Sequence, residues 1–408
     1  MVTLADIVIV GGGLAGASAA QALREERFDG RITIVGDEAH RPYERPPLSK
    51  EYLQGRSELE KVFVHPPGWY AEHDVDLLLG TSAVAIDLTA HSVTCSDGRR
   101  LGYDRLLLAT GSSPRRLAVP GHDLDGVHYL RRIDDAQRLR EGFARSGRVV
   151  VIGAGWIGLE TAAAARMAGL DVTLLEVAAL PLLGVLGPEV ATAFADLHRS
   201  HGVDLRCGVS VAEIVGQDGR ATGVRLDDGE VADGDLVVVG VGITPNDALA
   251  RDAGLEVANG ITVDAHLRSS DPDVFAAGDV ASAFHPRLGQ HVRVEHWANA
   301  RRQGNVAARG MLDRPKDYDR LPYFFSDQYD MGMEYTGHVG AGGSERVVLR
   351  GDPATGAYLV FWLAEGRVLA GMAVNTWDVM PAIEDLILTE HRVDVGRLTD
   401  PAVPLAGL

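Results

Sequence analysis

The sequence of 408 residues contains only two cysteines, Cys95 and Cys207, which lie far apart and form no Cys-x-x-Cys pair. A disulfide scaffold and a cysteine-ligated zinc site are therefore not expected, and no metal site of any other kind is predicted. Because so few thiols suit a reducing compartment, we expect the protein to be cytoplasmic.

Long apolar runs and an excess of positive charge are also missing. No stretch approaches the roughly 18 apolar residues of a membrane span. The N-terminal run ends at Gly11 and predicts a strand instead of a signal peptide. With 39 Lys and Arg against 57 Asp and Glu, the formal charge is −18. Since phosphate binding relies on surplus cations, we expect no nucleic-acid partner, and we expect no membrane association.

Glycine, by contrast, is abundant, with 48 residues, and one glycine pattern occurs twice. "DIVIVGGGLAGASAA" (6–20) and "VVVIGAGWIGLE" (149–160) both pass from a buried strand through Gly-x-Gly-x-x-Gly into a helix. Such glycines allow a tight turn, close approach of the backbone to a pyrophosphate, and helix–strand packing. The bare helix N-terminus also attracts phosphate. Each copy predicts a dinucleotide site, built on Gly11, Gly13 and Gly16 or on Gly153, Gly155 and Gly158.

Each copy is followed by an acid at the end of the next strand, Asp37 in the first and Glu176 in the second. A carboxylate at that place accepts a hydrogen bond from a ribose hydroxyl. Glu176 precedes "VAALPLL", which offers no Lys or Arg to a 2′-phosphate, so we predict NADH over NADPH. Two dinucleotides in one chain indicate electron transfer, since a nicotinamide leaves after giving a hydride and a flavin stays to pass electrons singly.

The order of elements predicts an α/β protein with parallel sheets. The first unit reads as a strand over 6–10, a helix over 14–26 and a strand over 31–35. The second repeats this order, with a helix over about 157–168. Residues 93–111 are predicted as hairpin strands and 208–230 as a meander with Asp-Gly turns. From about 321 the aromatic and β-forming residues predict a separate α+β domain, closed by a helix over 381–390.

Further motifs are "RPYERPPLSK" (41–50), "LLLATGSSPR" (106–115), "GVGITPN" (240–246), "DVFAAGDVA" (273–281) and "SDQYDMGMEYTG" (326–337). With the two glycine patterns, the chain resembles over its whole length the FAD-dependent NADH:ferredoxin reductases that feed bacterial oxygenases and cytochromes P450. These belong to the glutathione-reductase-like pyridine nucleotide-disulfide oxidoreductase superfamily. The resemblance implies two Rossmann-like domains, for FAD and NAD, and a C-terminal α+β domain. The implied division is 1–112 and 242–320 for FAD, 113–241 for NAD, and 321–408 for the interface domain.

The resemblance also implies roles for single residues. Arg45 and Lys50 approach the flavin, Asp37 holds the adenosine ribose, and Glu160 partners Lys50, the cation near reduced flavin. Phe325 lies near the nicotinamide, where many relatives have tryptophan, and Leu180 replaces an arginine that relatives often carry. The remaining FAD residues implied are Gly11, Gly13, Ala15, Gly16, Ala83 (through its backbone), Arg131, Asp279 and Trp297. Those implied for NADH are Gly153, Gly155, Ile157, Gly158, Glu160, Glu176 and Gly242.

The function implied is transfer of a hydride from NADH to FAD, then of single electrons to a [2Fe-2S] ferredoxin that serves a cytochrome P450 or oxygenase. Reduction of rubredoxin, monodehydroascorbate or another small acceptor stays open. So does redox signalling, as in relatives of apoptosis-inducing factor. A disulfide or peroxide reductase is disfavoured because neither cysteine falls near Lys50 in the sequence. We interpret His198 and His201 as surface histidines. The arginines at 301, 302 and 309 form either a docking patch for an acidic ferredoxin or a solvated helix face.

Overall fold

The computed structural model describes residues 4–340 and 343–408. This part of the chain forms two compact units. The first contains the residues up to Arg45, Leu59–Ser113 and Ile243–Arg320; the second contains Pro46–Glu58, Pro114–Gly242 and Leu321–Leu408. The division into four domain segments stays a prediction. No helix within residues 4–340 and 343–408 combines the length and apolarity that crossing a bilayer requires.

The first unit is built on a sheet of five parallel strands. Their order is Val274–Ala276, Arg105–Leu108, Asp6–Val10, Arg31–Val35 and Val75–Leu78. The unbroken apolar runs predicted strands buried on both faces, and Ile7, Ile9, Ile32 and Ile34 are at most 1 % exposed. The predicted strands 6–10 and 31–35 are confirmed, and the crossover helix is Leu14–Glu25.

A second helix of this unit, Trp297–Met311, packs along Leu14–Glu25. Gly304 allows the close approach, because a Cβ there would lie 2.4 Å from the Ala15 carbonyl oxygen and 3.0 Å from Ser18 Cβ. The contact lies at the first turns of helix Leu14–Glu25, directly after the glycine turn that follows strand Asp6–Val10.

The predicted hairpin over 93–111 is only partly correct. Ser92–Cys95 and Arg100–Gly102 pair antiparallel in a small sheet that also contains Ala83–Asp87. Arg105–Leu108 instead pairs parallel with Asp6–Val10, so the prediction of a hairpin strand is wrong there. Its last three residues are all leucines at most 1 % exposed, as a central strand between two covered faces requires.

The second unit repeats the parallel design. Its sheet has the order Asp204–Cys207, Asp171–Glu176, Arg148–Ile152, Leu236–Val239 and Val127–His128. The crossover helix is Trp156–Met167, one residue earlier at each end than predicted. The predicted meander is confirmed as the antiparallel strands Val211–Gln217, Arg220–Leu226 and Val231–Asp233.

The C-terminal part of the second unit is a five-stranded antiparallel sheet, in the order Tyr323–Gln328, Met331–Gly337, Arg367–Val374, Tyr358–Ala364 and Arg346–Arg350. Helix Met380–Leu388 packs on it, with Ile383 over Gly371. The predicted helix over 381–390 is therefore present, but it does not close the chain, because helix Val395–Thr399 follows. Burial alternates along Tyr323–Gln328, so Phe324, Ser326 and Gln328 share its buried face.

The remaining elements are helices, short helical turns and a small three-stranded sheet. In the first unit they are Leu59–Val62, Trp69–Glu72, Ala248–Asp252, Ile261–Val263, Ala281–His285 and Gln290–Val292. In the second they are Pro46–Ser49, Ile133–Phe143, Leu183–Leu186, Pro188–Ser200 and Pro353–Thr355. Strands Ser112–Pro114 and Ile243–Pro245 pair with each other where the chain changes unit.

Candidate cofactor cradles and catalytic cluster

The first glycine turn is forced by the backbone at two of its three positions. Gly11 has φ +125°, and a Cβ there would lie 2.1 Å from the Ala109 carbonyl oxygen. A Cβ on Gly16 would lie 2.3 Å from the carbonyl oxygen of Gly11. Gly13 is different, since no described atom lies within 4 Å of a Cβ placed there. The protein itself does not require glycine at position 13.

The second turn has the same geometry. Gly153 has φ +96°, and its Cβ would lie 2.5 Å from the Gly240 carbonyl oxygen. A Cβ on Gly158 would lie 1.9 Å from the carbonyl oxygen of Gly153. Over Gly155 the space is again open, with no atom of the described chain within 4 Å. We call these two turns, 11–16 and 153–158, the first and second cradles.

Both cradles fit a dinucleotide pyrophosphate. Gly13 and Gly155 are the residues immediately before helices Leu14–Glu25 and Trp156–Met167. In these described helices, neither N-terminus has a side-chain cap, and neither first turn carries an acid. The backbone N–H groups and the positive end of each helix dipole are thus available to phosphate. Glycine at 13 and 155 leaves this space open, as a bound pyrophosphate would require.

The two predicted ribose acids lie beside their cradles. Glu176 ends strand Asp171–Glu176, and its carboxylate accepts from the backbone N–H groups of Ala154, at 2.6 Å, and Ala178, at 2.8 Å. Asp37 is exposed and follows Gly36, where a Cβ would lie 3.3 Å from Gly12 Cα. Each acid is therefore held next to the turn whose ligand it was predicted to bind.

Asp279 lies among polar partners of the first unit. Its carboxylate accepts from the Ser112 hydroxyl at 2.8 Å, and its carbonyl accepts from the Arg293 guanidinium at 3.2 Å. Burial lowers the pKa of His296 to about 4, although Asp279 acts in the opposite direction. His296 directly precedes the helix that Trp297 begins. Sequence reasoning missed Ser112 and His296; the "ATGSSPR" motif was the signal for the serine.

Arg45, predicted to approach the flavin, is held by two neighbours from its own unit. Its guanidinium lies 3.2 Å from the Glu38 carboxylate and 3.1 Å from the Tyr43 hydroxyl. Burial disfavours the charge, but Tyr43, Glu38 and Asp279 together raise the pKa of Arg45 above its ordinary value. Ala83 begins an edge strand of the small sheet and pairs with Cys95.

The second unit contains a buried ion pair at the place predicted for chemistry. Lys50 follows the turn Pro46–Ser49, and its Nζ lies 2.8 Å from Glu160 Oε1. Glu160 is on the helix that begins at the second cradle. Lys50 is 5 % and Glu160 3 % exposed. The structure thus brings together the two residues predicted as partners.

Two serines complete the surroundings of Glu160. Its carboxylate also accepts from the Ser49 hydroxyl at 2.5 Å and from the Ser326 hydroxyl at 2.7 Å. Hydrogen bonds to an ionised group are stronger than neutral ones, and a buried ion pair needs them to offset the loss of water. Sequence reasoning missed both serines. Ser49 is the neighbour of Lys50, but no local pattern connects Ser326 with Glu160.

Phe325 joins the same cluster, with its ring centroid 5.3 Å from Lys50 Nζ, within range of a cation–π contact. Asp327 follows two residues later. Burial raises the pKa of Asp327, Lys50 opposes that shift, and Glu160 adds to it. Lys50, Glu160, Ser49, Ser326 and Phe325 are called the catalytic cluster below.

The other predicted nicotinamide residues lie in the second unit. Ile157 is 41 % exposed at the start of the cradle helix. Gly242 has φ +100° and its carbonyl accepts from the Arg115 N–H. Arg131, predicted for the adenine side of FAD, is half-buried in this unit just before helix Ile133–Phe143. The roles of these residues stay predictions.

Cysteine and histidine chemistry has no support in the described residues. Burial is the main cause that raises the pKa of both Cys95 and Cys207, so the thiols are poor nucleophiles. No group of three His, Cys, Asp or Glu side chains in residues 4–340 and 343–408 could hold a metal. His198, interpreted as a surface residue, is 0 % exposed, so that interpretation is wrong; His201 is half-buried. The helix Pro188–Ser200 turns His198 inward, which single-residue spacing did not indicate.

Comparison with known proteins defines the class. Residues 5–304 match the pyridine nucleotide-disulphide oxidoreductase family, and residues 323–408 match the reductase C-terminal family. The chain belongs to the pyridine nucleotide-disulphide oxidoreductase family and is an FAD- and NAD(P)H-dependent oxidoreductase of the glutathione-reductase-like fold. The family and fold predicted from the sequence are thereby confirmed.

Its relatives narrow the class to ferredoxin reductases. The chain is 42 % identical over 400 residues to the ferredoxin–NAD(+) reductase component of the anthranilate 1,2-dioxygenase system of Burkholderia cepacia, covering 98 % of each chain. It is 39 % identical over 406 residues to putidaredoxin reductase of Pseudomonas putida, covering 98 % of this chain and 96 % of the relative. The crystal structure of the covalent putidaredoxin reductase–putidaredoxin complex matches with a TM-score of 0.95 at 38 % identity, over 98 % of this chain and 97 % of that chain.

Proposed function

We propose that this protein is a cytoplasmic NADH-dependent ferredoxin reductase that serves a cytochrome P450 or oxygenase. The observation that carries the proposal is the buried Lys50–Glu160 pair on the helix of the second cradle, in a chain that has a complete first cradle as well. Burying two charges has a large desolvation cost, and buried charge pairs in a ligand cleft are typical of sites that do chemistry.

We assign FAD to the first cradle and NADH to the second. When bound, FAD would supply the chemistry that joins a two-electron hydride donor to a one-electron acceptor. Gly13 and Gly155 make room for the two pyrophosphates, while Asp37 and Glu176 accept from the riboses. Asp279, Trp297, Arg45 and the neighbouring FAD residues named above orient the flavin.

The catalytic cluster supplies charge and orientation. Lys50 offers a cation to the electron-rich flavin, and Glu160 holds that cation in place with the help of Ser49 and Ser326. Because these groups are held before the reaction begins, little reorganisation is needed when charge develops. Phe325 covers the ammonium group and packs against the nicotinamide in this assignment.

Glu176 supports NADH as the donor. Both its oxygens already accept from backbone N–H groups, so the carboxylate is fixed and negative where a 2′-phosphate would lie. Like charges in such contact disfavour binding. The segment that follows Glu176 has no Lys or Arg to reverse this effect.

The electron acceptor follows from the relatives. They include ferredoxin reductase components of the anthranilate dioxygenase and p-cumate dioxygenase systems, together with putidaredoxin reductase. We infer that this chain likewise reduces an iron–sulfur ferredoxin. No described feature favours rubredoxin, a small-molecule acceptor or a signalling role over this acceptor.

Anaerobic rapid mixing tests the proposal. The FAD-loaded protein is reduced with one equivalent of NADH, then mixed with a [2Fe-2S] ferredoxin from the same organism while the flavin spectrum is followed. We expect two successive one-electron oxidations, and much slower reduction when NADPH replaces NADH. Glu160→Gln should slow flavin reduction, and Ser18→Ala is its matched control, because Ser18 occupies in the first cradle the position that Glu160 has in the second.

A stable reduced flavin in the presence of ferredoxin would overturn the acceptor. Rapid oxidation by a quinone or by monodehydroascorbate would then indicate a small-molecule reductase. A long-lived reduced complex with every acceptor would indicate redox signalling. Equal rates with NADH and NADPH would overturn the donor assignment alone.

A further inference from the structure

Glu160 lies at one end of a chain of buried polar side chains. The Ser326 hydroxyl lies 2.7 Å from Glu160, and Gln328 Nε2 lies 3.2 Å from that hydroxyl. Gln328 Oε1 lies 2.9 Å from His198 Nε2, and the Tyr329 hydroxyl lies 3.2 Å from His198 Nδ1. Ser326, Gln328 and His198 are at most 1 % exposed. We call Ser326, Gln328, His198 and Tyr329 the His198 chain.

The carboxylate at the end determines the direction of every hydrogen bond. An ionised carboxylate only accepts, so Ser326 donates to Glu160 and must receive its own hydrogen bond from Gln328 Nε2. The oxygen of the Gln328 amide then faces His198, whose Nε2 must carry the proton. His198 Nδ1 is left as an acceptor for the Tyr329 hydroxyl. All donors therefore point toward Glu160.

The far end of the chain is held by packing. The Tyr329 ring stacks on His201, with centroids 3.7 Å apart and planes 9° apart. Burial lowers the pKa of His198 to about 4; the Gln328 hydrogen bond opposes this shift and His201 adds to it. At neutral pH the ring is uncharged and has one donor and one acceptor, as the chain requires.

The His198 chain can orient the groups it connects, but it cannot conduct protons. A proton relay needs each member to accept a proton on one side and release one on the other. The amide nitrogen of Gln328 has no lone pair free to accept a proton, so transfer stops there. What the chain can transmit is orientation, from the ring of His198 to the hydroxyl of Ser326.

We propose that His198 and Gln328 are positioning residues for hydride transfer, acting through Ser326 to hold the Glu160 carboxylate against Lys50. The inference rests on the proposed function, in which Glu160 and Lys50 serve the reaction. Neither His198 nor Gln328 touches the ion pair itself; their effect passes through one hydroxyl. Lys50, which follows the turn Pro46–Ser49, pairs with Glu160, and Asp327 on the strand that carries Ser326 interacts electrostatically with both.

The tautomer of His198 is the first test, and it needs no activity. Ring nitrogen-15 NMR of the FAD-loaded protein at pH 7 is expected to show His198 with its proton on Nε2. Gln328→Leu should leave the protein folded, because glutamine and leucine are similar in size. Without the amide oxygen that accepts from Nε2–H, the proton should be found on either ring nitrogen of His198. An Nδ1–H tautomer in the unsubstituted protein would contradict the direction of the chain and overturn the proposal.

Rapid reduction by NADH, with no ferredoxin present, tests the effect on the reaction. Ser326→Ala should lower the rate constant at saturating NADH about 10-fold, the equivalent of one hydrogen bond to a charged group. Gln328→Leu should lower it about 3- to 10-fold on the same grounds. NADH affinity should stay within about twofold in both, since neither residue belongs to the cradle. Gln217→Leu, an exposed substitution in the same unit, is the control.

The double variant separates positioning from general weakening of the fold. If Gln328 acts through Ser326, Ser326→Ala with Gln328→Leu should react no more slowly than Ser326→Ala alone. NADH affinity and the tautomer of His198 are the readouts that tell a positioning effect from a loss of fold stability, since positioning leaves the first unchanged and alters the second in Gln328→Leu. Additive losses, or rates within twofold of the parent in both single variants, would overturn the proposal.

These measurements also keep the two proposals apart. If NADH reduces the flavin but no ferredoxin oxidises it, the function fails and the His198 chain is still tested by the rate of reduction. If NADH does not reduce the flavin, the role of Glu160 in hydride transfer fails, and the positioning proposal fails with it.

Discussion

The two cradles have the same backbone and differ in the side chains one turn further on. The fifth residue of helix Leu14–Glu25 is Ser18, and the fifth residue of helix Trp156–Met167 is Glu160. Both are buried, at 5 % and 3 % exposure. Ser18 packs against Gly304 of a neighbouring helix, whereas Glu160 balances the charge of Lys50. The same backbone turn thus occurs in both places, and in only one of them does a buried charge pair lie one helix turn further on.

A second difference concerns access. The second residue of each helix is Ala15 or Ile157, which are 6 % and 41 % exposed. Ala15 is covered by Gly278 and Gly304 from its own unit. Such closure suits a cofactor that stays bound, and exposure suits a ligand that enters and leaves at each turnover. The contrast agrees with assigning FAD to the first cradle and NADH to the second.

The largest expected effect comes from neutralising Glu160, the residue that distinguishes the second cradle from the first. Glu160→Gln leaves the Lys50 ammonium buried without a counter-charge, a change worth about 3 to 5 kcal/mol for buried pairs. We expect flavin reduction by NADH to slow by roughly 100-fold or more. Ser18→Ala removes one hydroxyl from a packed interface and should leave the rate within about twofold. Anaerobic stopped-flow with FAD content and Tm as controls measures both; a Glu160→Gln rate within threefold of the parent would contradict the role of the pair.

Substitutions at Gly13 and Gly155, the cradle glycines with open space above them, test which cradle binds which cofactor. Gly13→Ala and Gly155→Ala place a methyl group in space that no described atom occupies, so both variants should fold. Gly13→Ala should weaken FAD binding at least about 10-fold, the equivalent of roughly 1.4 kcal/mol. Gly155→Ala should raise the NADH Kd by a similar factor while FAD content stays full. Flavin fluorescence on dilution and NADH titration measure the two effects.

Gly184→Ala is the control for this pair, because it also adds a methyl group in open space. It should change neither affinity. If Gly13→Ala weakened NADH and left FAD unaffected, the assignment of the cradles would be reversed.

Substitution of each predicted ribose acid tests which of them binds the nicotinamide dinucleotide. Glu176→Ala removes both the ribose acceptor and the bond to the Ala154 N–H, so the NADH KM should rise about 10-fold. Because the repelling charge is gone, the preference for NADH over NADPH should fall by a similar factor. Asp37→Ala should leave both nicotinamide values unchanged. Steady-state assays with each nicotinamide test this, and an unchanged preference would show that another group selects the donor.

The last effect concerns stability below neutral pH and not the rate of reaction. His198 binds a proton near pH 4 in the folded protein and near roughly 6.5 when unfolded. Folding therefore excludes a proton that the unfolded chain takes up, and stability falls as the pH drops from about 6.5 to 4. The loss is at most about 1.4 kcal/mol per pH unit. His198→Asn should flatten this part of the profile, measured as Tm at pH 7 and 5. His122→Asn, on the surface, should leave the slope unchanged; equal slopes in all three proteins would refute the linkage.

His296 is the counterpart in the first unit, where burial likewise lowers the pKa to about 4. Its contribution has the same sign and the same pH range as that of His198. His198 and His296 thus each lower stability in acid. A variant with both histidines replaced should lose less stability between pH 7 and 5 than either single variant.

Local sequence patterns were sufficient to predict those features in which a residue's environment is set by its neighbours in the sequence. Strands 6–10, 31–35 and 171–176 follow from apolar runs ended by glycine or acid, and the cradles follow from glycine spacing. The ion pair of Lys50 with Glu160 was implied by two motifs, although 110 residues separate the partners. The parallel pairing of Arg105–Leu108 was missed because a short leucine run fits a hairpin and a central strand equally well.

The sequence by itself therefore determined the fold class, the two dinucleotide turns and the acids beside them, because glycine conformation and strand burial are properties of short segments. Only the tertiary structure decided which polar groups surround Glu160. Ser326 reaches Glu160 from a strand remote in the chain. Gln328 on the same strand and His198 on a helix continue the hydrogen bonds behind it, each on a buried face. A buried carboxylate must find its donors wherever the packed elements place them, and no local pattern records that choice.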